Sequence, residues 1–218
     1  MADDKYSSLR ALEAMQVRSL EGKKEYVASL EARGDEQALS LLVECLCDES
    51  GYLRDLAECA LVRVGDRAAK VLLPHLTQGL WFTRVSVAKV LGELGYRDAL
   101  PGLVEMAGDA NRAVAEAALQ SASRIAAHGH VVSAARALFH APSERVREML
   151  GAAEAYQAGL ASQVQRVLAD RELMTAEESE LLNETAGGLA AGEGVEWSVL
   201  TGRGTVETGV PAADREAG

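Results

Sequence analysis

Residues 38–48 read ALSLLVECLCD, and residues 99–109, sixty-one positions later, read ALPGLVEMAGD. Six of the eleven letters coincide, including the Leu-Val-Glu centre and the closing aspartate. A second echo, LAECALVRVGD (56–66) against SVAKVLGELGY (86–96), is offset by 30. The two offsets share one unit of about 30 residues, and a fixed period of that size marks a repeat architecture. Glycines keep the same time: Gly34, Gly65, Gly95, Gly129, Gly159 and Gly187 fall at intervals of 31, 30, 34, 30 and 28. Each closes an apolar-periodic run, where glycine accepts the left-handed conformation common just past a helix end. Asp35 and Asp66 follow the first two glycines and stand where a side chain caps the next helix.

One unit reads as two helices. In 35–65 the first carries Leu39, Leu42, Val43 and Leu46 at helical spacing, and the second carries Leu53, Ala57, Ala60, Leu61 and Val64. Residues 66–95 repeat the pattern with Val71, Leu72 and Leu76, then Val87, Val90, Leu91 and Leu94. Neither helix can bury its stripe alone, whereas stacked pairs bury a continuous core. The expected fold is therefore all-α, an α-solenoid of about six antiparallel helix pairs over 5–187. The pairs are 5–33, 35–65, 66–95, 96–126, 129–158 and 160–187. The opening pair would bury Leu9, Leu12, Val17, Leu20, Tyr26, Val27 and Leu30. Pro142 and Ser143 start a helix in the fifth pair, and Thr175 with Glu178 forms a capping box in the sixth.

Composition agrees. The chain has 218 residues, 48% of them apolar and only 4% aromatic, with four prolines. No apolar run reaches the roughly 20 residues that a membrane-spanning helix needs. The start, MADDKYSSLR, lacks a basic patch followed by an apolar stretch. Three cysteines, Cys45, Cys47 and Cys59, suit a reducing cytoplasm better than a disulfide scaffold, so the expected location is cytoplasmic. Net charge is −11, but residues 61–140, with 9 basic and 6 acidic side chains, carry +3.

The two second helices share a wording: Asp48, then Leu53-Arg54, Ala57, Ala60-Leu61 and Gly65; and Thr83-Arg84, Val87, Val90-Leu91 and Gly95. This resembles HEAT repeats, in the short bacterial form of the phycobilin-lyase (PBS lyase) HEAT-like family, over roughly residues 20–160. The unit at 96–126 keeps Asp109 and Val114 but has Ala115 where the family has arginine. The resemblance implies an α-solenoid and a structural, repeat-bridging role for Arg54 and Arg84. It implies no single activity, because such arrays serve many roles.

After Gly187 the pattern lapses. Residues 187–218 hold eight glycines with no helical period, and 188–218 read as a Gly-rich, acidic, disordered tail. Its apolar patch VEWSVL (195–200), with Trp197, is either part of that disorder or a linear motif for a partner. A weaker idea is that it occupies the solenoid groove until a partner displaces it.

Candidate chemistry is thin. His75, His128, His130 and His140 show no ligand spacing, and there is no CxxC. Cys45 and Cys47, two apart on a helix, point about 200° apart. One HEAT-like group holds two irons with His-Glu dipeptides, and this chain has none. No metal or cofactor is expected. Cys45 and Cys59 lie on or beside apolar stripes as small core residues. Phosphate loops, nucleophile elbows and Rossmann fingerprints are absent. A local +3 between acidic ends argues against nucleic acid.

What remains is a protein-binding surface along the second helices. Trp81 and Phe82 start the third unit's second helix, where the second unit has Gly51-Tyr52 and the fourth Asn111-Arg112. The core stripe does not need aromatics there. They are either interface anchors or pack over the adjacent turn. The expected site is Trp81, Phe82 and Tyr52 as anchors, with Arg54, Arg84 and Lys89 as a basic stripe for an acidic segment of another protein. The expected function is a non-enzymatic scaffold or adaptor. The resemblance supplies the alternative, a bilin-lyase-like subunit handling a tetrapyrrole or a chromophorylated protein.

Overall fold

A computed structural model of the chain describes residues 18–175. Among them lie eleven α-helices, two short 3-10 turns and no strand. In chain order the helices are α1 (Leu20–Arg33), α2 (Glu36–Cys45), α3 (Gly51–Val64) and α4 (Asp66–Leu72), which a 3-10 turn extends over Leu73–Leu76. There follow α5 (Trp81–Glu93), a 3-10 turn at Arg97–Ala99, α6 (Leu100–Met106) and α7 (Arg112–Ala127). The last are α8 (Val131–Leu138), α9 (Ser143–Tyr156), α10 (Leu160–Ala169) and α11 (Arg171–Thr175). Two first helices are broken where the sequence suggests one piece. Pro74 has no N–H to continue α4, and Pro101 sits in the first turn of α6, where that loss costs nothing.

The helices sort into two rows. α1, α3, α5, α7 and α9 pack neighbour to neighbour; so do α2, α4 with its 3-10 turn, α6, α8 and α10. Short turns make each pair antiparallel, so members of one row run parallel. Side chains confirm the direction. Helix starts meet at Lys24 over the Tyr52 ring (5.7 Å) and Arg54 over the Phe82 ring (4.7 Å). Helix ends meet where Arg63 grips Glu31 and Arg124 lies over the Tyr156 ring. Between the rows Leu30, Leu42, Leu46, Leu53, Leu61, Leu72, Leu91, Leu103 and Ile125 are fully buried. Each such side chain contributes about 2 kcal/mol by leaving water.

The periodic glycines do the work their spacing implies. Gly34, Gly65, Gly95, Gly129 and Gly159 all have positive φ, between 58° and 98°. Gly95 is doubly constrained, since a Cβ there would also stand 2.6 Å from His128 Nδ1. Asp35 caps α2 by accepting the Ala38 N–H at 2.7 Å. Asp66 does not cap α4. It is the helix's first residue, and the cap position is Gly65, which has no side chain to bond. α9 begins at Ser143, with Pro142 at the cap.

Two burial expectations change. Leu20 is exposed, because it is the first residue of α1 and its Cβ tilts off the helix start, beyond reach of the other row. Cys59 is exposed as well, whereas Cys45 is buried. Leu9, Leu12, Val17, Glu178 of the capping box, Gly187, the 188–218 tail and Trp197 lie outside the described residues.

Candidate functional site

The expected anchors and basic residues occupy three separate places. The first is an edge. Helix starts of one row, and the turns that lead into them, share one side of the stack. Leu20, Tyr52, Leu80, Trp81 and Phe139 all lie there, and together they are five of the six large apolar side chains exposed among the described residues. The sixth, Tyr156, ends α9 at the opposite side. Trp81 is 48% exposed and Tyr52 46%, so neither is claimed by the core. Phe82 differs: it is half-buried, edge-on to Trp81 at 5.6 Å and covered by the Arg54 guanidinium.

Arg54 and Arg84 belong to the second place, the joints between pairs. The echo that opens the sequence recurs here as geometry. Asp48 accepts the N–H of Ser50 at 2.8 Å, and Asp109 accepts that of Asn111 at 2.8 Å. Each aspartate thereby fixes the turn into a second helix. Arg54 donates to the carbonyls of Asp48 (2.7 Å) and Glu49 (3.0 Å) while stacking on Phe82 of the next pair. Arg84 pairs with Asp109 of the next pair, and both side chains are about four-fifths buried. The Asn111 N–H and then the Arg84 guanidinium hold the Asp109 carboxyl below the usual carboxylate range. In the reverse direction Thr83 Oγ1 donates to the Leu46 carbonyl at 3.3 Å. These two arginines are thus engaged inside the stack, and Lys89 is the one member of the expected stripe that stands open to solvent.

Lys89 opens onto the third place, a trough of about 460 Å³ across α3, α5 and α7. Its lining includes Glu58, Cys59, Arg63, Lys89, Glu93 and Arg124. The charges are paired from helix to helix. Arg63 holds Glu31 of α1 with two bonds of 2.5 and 2.7 Å, which lower the Glu31 pKa. Arg124 pairs with Glu93 of α5. Lys89 Nζ is 3.9 Å from Glu58, too far for a hydrogen bond. Burial pushes the Glu58 carboxyl up, opposed by a hydrogen bond from Ser86 and by Lys89.

Sequence reasoning missed Leu80, Phe139 and Arg124. The offset of 30 could have found the trough, since Cys59 aligns with Lys89 and Arg63 with Glu93 on the face that meets neighbouring second helices. Leu80 carries no such signal, because it falls at a helix start rather than on a stripe.

Among the described residues no group of three or more His, Cys, Asp or Glu side chains could hold a metal ion. No described helix is long and apolar enough to cross a membrane. Burial raises the Cys45 thiol to about 12, so it stays protonated and inert. Compared with protein-family models and with curated proteins, the chain matches none.

Proposed function

We propose that the paired helices form a HEAT-like α-solenoid and that it serves as a non-enzymatic scaffold which binds another protein through the edge bearing Tyr52, Leu80, Trp81 and Phe139. Support for the solenoid comes from the two rows, each running through successive pairs, with an arginine at two of the joints: Arg54 on Phe82 and Arg84 on Asp109 of the next pair. One observation carries the binding role: the exposed large apolar side chains concentrate on a single side of the stack. Scattered exposed apolar residues need no explanation, but their concentration at the starts of α1, α3 and α5, with Phe139 beyond the polar start of α7, supports an interaction surface. Trp and Tyr are also the residues most enriched where binding energy concentrates.

Position-specific photo-crosslinking in native extract tests the reading. A crosslinker at Leu80 or Phe139 captures a discrete partner, and one at Glu105, exposed on the other row, does not. Trp81→Ala with Tyr52→Ala leaves helicity intact and removes the adduct. Equal capture from Glu105, or capture unchanged by the double substitution, refutes the edge as the docking surface.

A further inference from the structure

We propose that the protein docked on this edge is a second copy of the same chain, turned end for end about a two-fold axis at the start of α5; this rests on the preceding reading that the edge is a docking surface.

The order of side chains along the edge points to such a partner. Neighbouring helices of the row lie about 10 Å apart. In turn their starts present Leu20 (α1), Tyr52 (α3), Leu80 with Trp81 (α5) and Arg112 (α7), and Phe139 follows in the turn into α9. A two-fold axis at α5 reverses that order in the facing copy. Leu80 and Trp81 then meet their own counterparts, Leu20 meets Phe139 at both outer positions, and Tyr52 meets Arg112 at both inner ones. The polar start of α7, which interrupts the apolar series, thus falls opposite an aromatic ring, whose face attracts a cation. Moving the axis by half a spacing loses the match. In one direction Leu20 faces Arg112 and Phe139 is uncovered; in the other Leu20 is uncovered.

Arg112 is free to serve in this way. Its side chain is 90% exposed, and its bond to Glu116 runs through Nε at the edge of the guanidinium, leaving the flat face open. Arg54 makes both kinds of contact at once, bonded to two carbonyls and 4.7 Å from the centre of the Phe82 ring. Lys24 lies over the Tyr52 ring, yet nearly half of Tyr52 is left to solvent. Area requires the whole edge. About half of each of the five apolar side chains is in water, together about 500 Å² per copy. Two copies therefore reach about 1,000 Å², the lower limit for a specific interface, only when Leu20 and Phe139 are both covered. A dimer of that size is a reversible one.

Sedimentation velocity of the purified full chain from about 1 to 200 μM should show a concentration-dependent monomer–dimer equilibrium. Leu20→Asp and Phe139→Lys each alter an exposed residue, one at the start of α1 and one at the end of α8, where those charges suit the helix ends. Each contact off the axis occurs twice, so either variant alone should weaken dimerisation roughly ten-fold or more. An equimolar mixture of the two variants restores it, because the mixed dimer sets one aspartate against one lysine and keeps one native Leu20–Phe139 contact. A native chain that stays monomeric throughout overturns the proposal, as does a mixture that associates no better than its components. A crosslinked adduct of Leu80 with a different protein, beside a monomeric purified chain, sustains the edge as a docking surface and overturns the second copy as its occupant. The two readings therefore fail separately.

Discussion

At Gly92 two helices of one row, α5 and α7, come close together. A Cβ added there would stand 2.8 Å from Ser121 Cβ and 2.9 Å from Ser121 Cα. Carbon atoms at ease lie 3.5–4.0 Å apart, so Gly92→Ala asks for about 1 Å more room. The Cα of Ser121 cannot rotate away as the end of a side chain would, so α5 and α7 must part. A gap of 0.5–1 Å forfeits a quarter to a half of each contact's dispersion energy along the seam, and such overpacking costs about 1–3 kcal/mol. Alanine's higher helix propensity returns up to about 1 kcal/mol. The net expectation is a loss of about 1–2 kcal/mol, or a fall in Tm of roughly 2–8 °C for a chain of this size.

Gly151 provides the control. It too is inside a helix of the same row, α9, but a Cβ there would meet nothing within 4 Å. Gly151→Ala collects the propensity term alone and should stabilise by about 0.5–1 kcal/mol. Thermal and urea melts followed by far-UV circular dichroism compare the two. Ser121→Ala should not rescue Gly92→Ala, because the clashing Cβ and Cα remain, whereas Ser121→Gly should rescue it in part. A Gly92→Ala chain as stable as Gly151→Ala would refute the reasoning that backbone proximity sets the α5–α7 spacing.

Other expectations can be checked with the same measurements. Arg84→Ala leaves Asp109 four-fifths buried without its cation and should cost about 1–2 kcal/mol in urea melts. Maleimide should label Cys59 in the folded chain and reach Cys45 only on unfolding, as mass spectrometry of the digested adduct would show. Glu31 and Asp109 have folded-state pKa values below their unfolded ones, so their stabilisation is present above about pH 4 and lost as pH falls through the depressed values. Glu58 is raised and runs the other way: the folded chain holds the extra proton, and stability falls as pH rises from its unfolded value, about 4.3, through the raised one. Across that window Glu58→Gln should gain Tm relative to the native chain.

Periodicity made the pairing legible, and the reasons are local. Gly34, Gly65, Gly95, Gly129 and Gly159 announce helix ends because their positive φ is hard for other residues to adopt. Leu39, Leu42 and Val43 announce a buried face because only one side of α2 meets the rest of the protein. The site was less legible, because the same residue type serves different ends according to depth along the helix. Three residues into their helices, Arg54 reaches back to the carbonyls of its own turn and Arg84 reaches forward to Asp109 in the turn of the next pair. Arg63, near the end of α3, reaches sideways to Glu31. No composition or charge count separates a joint arginine from a trough arginine; only the relative placement of helices does. Cys59 misled for a related reason, since it borders the stripe of Ala57, Ala60 and Leu61 but turns toward the trough.

The apolar edge is not a by-product of the fold. Position by position, the start of α7 corresponds to those of α3 and α5, and it is filled by polar residues. Asn111 caps the helix by accepting the Ala113 N–H at 3.0 Å, and Arg112 lies out in solvent, paired with Glu116. The turn geometry is the same, because Asp109 fixes it as Asp48 does before α3. The repeat therefore tolerates a soluble, capped start. At α5 it carries Leu80 at the cap and Trp81 after it, with no side-chain cap bond, and at α3 Ser50 makes none either, with Tyr52 two residues on. Those two starts forgo a cap's stabilisation, typically about 1 kcal/mol, and leave apolar area in water. Neither loss is recovered within the described residues, since Leu80, Trp81 and Tyr52 stay exposed. On the proposed reading, a surface kept apolar where the same frame accepts asparagine and arginine gains from its composition when another molecule covers it.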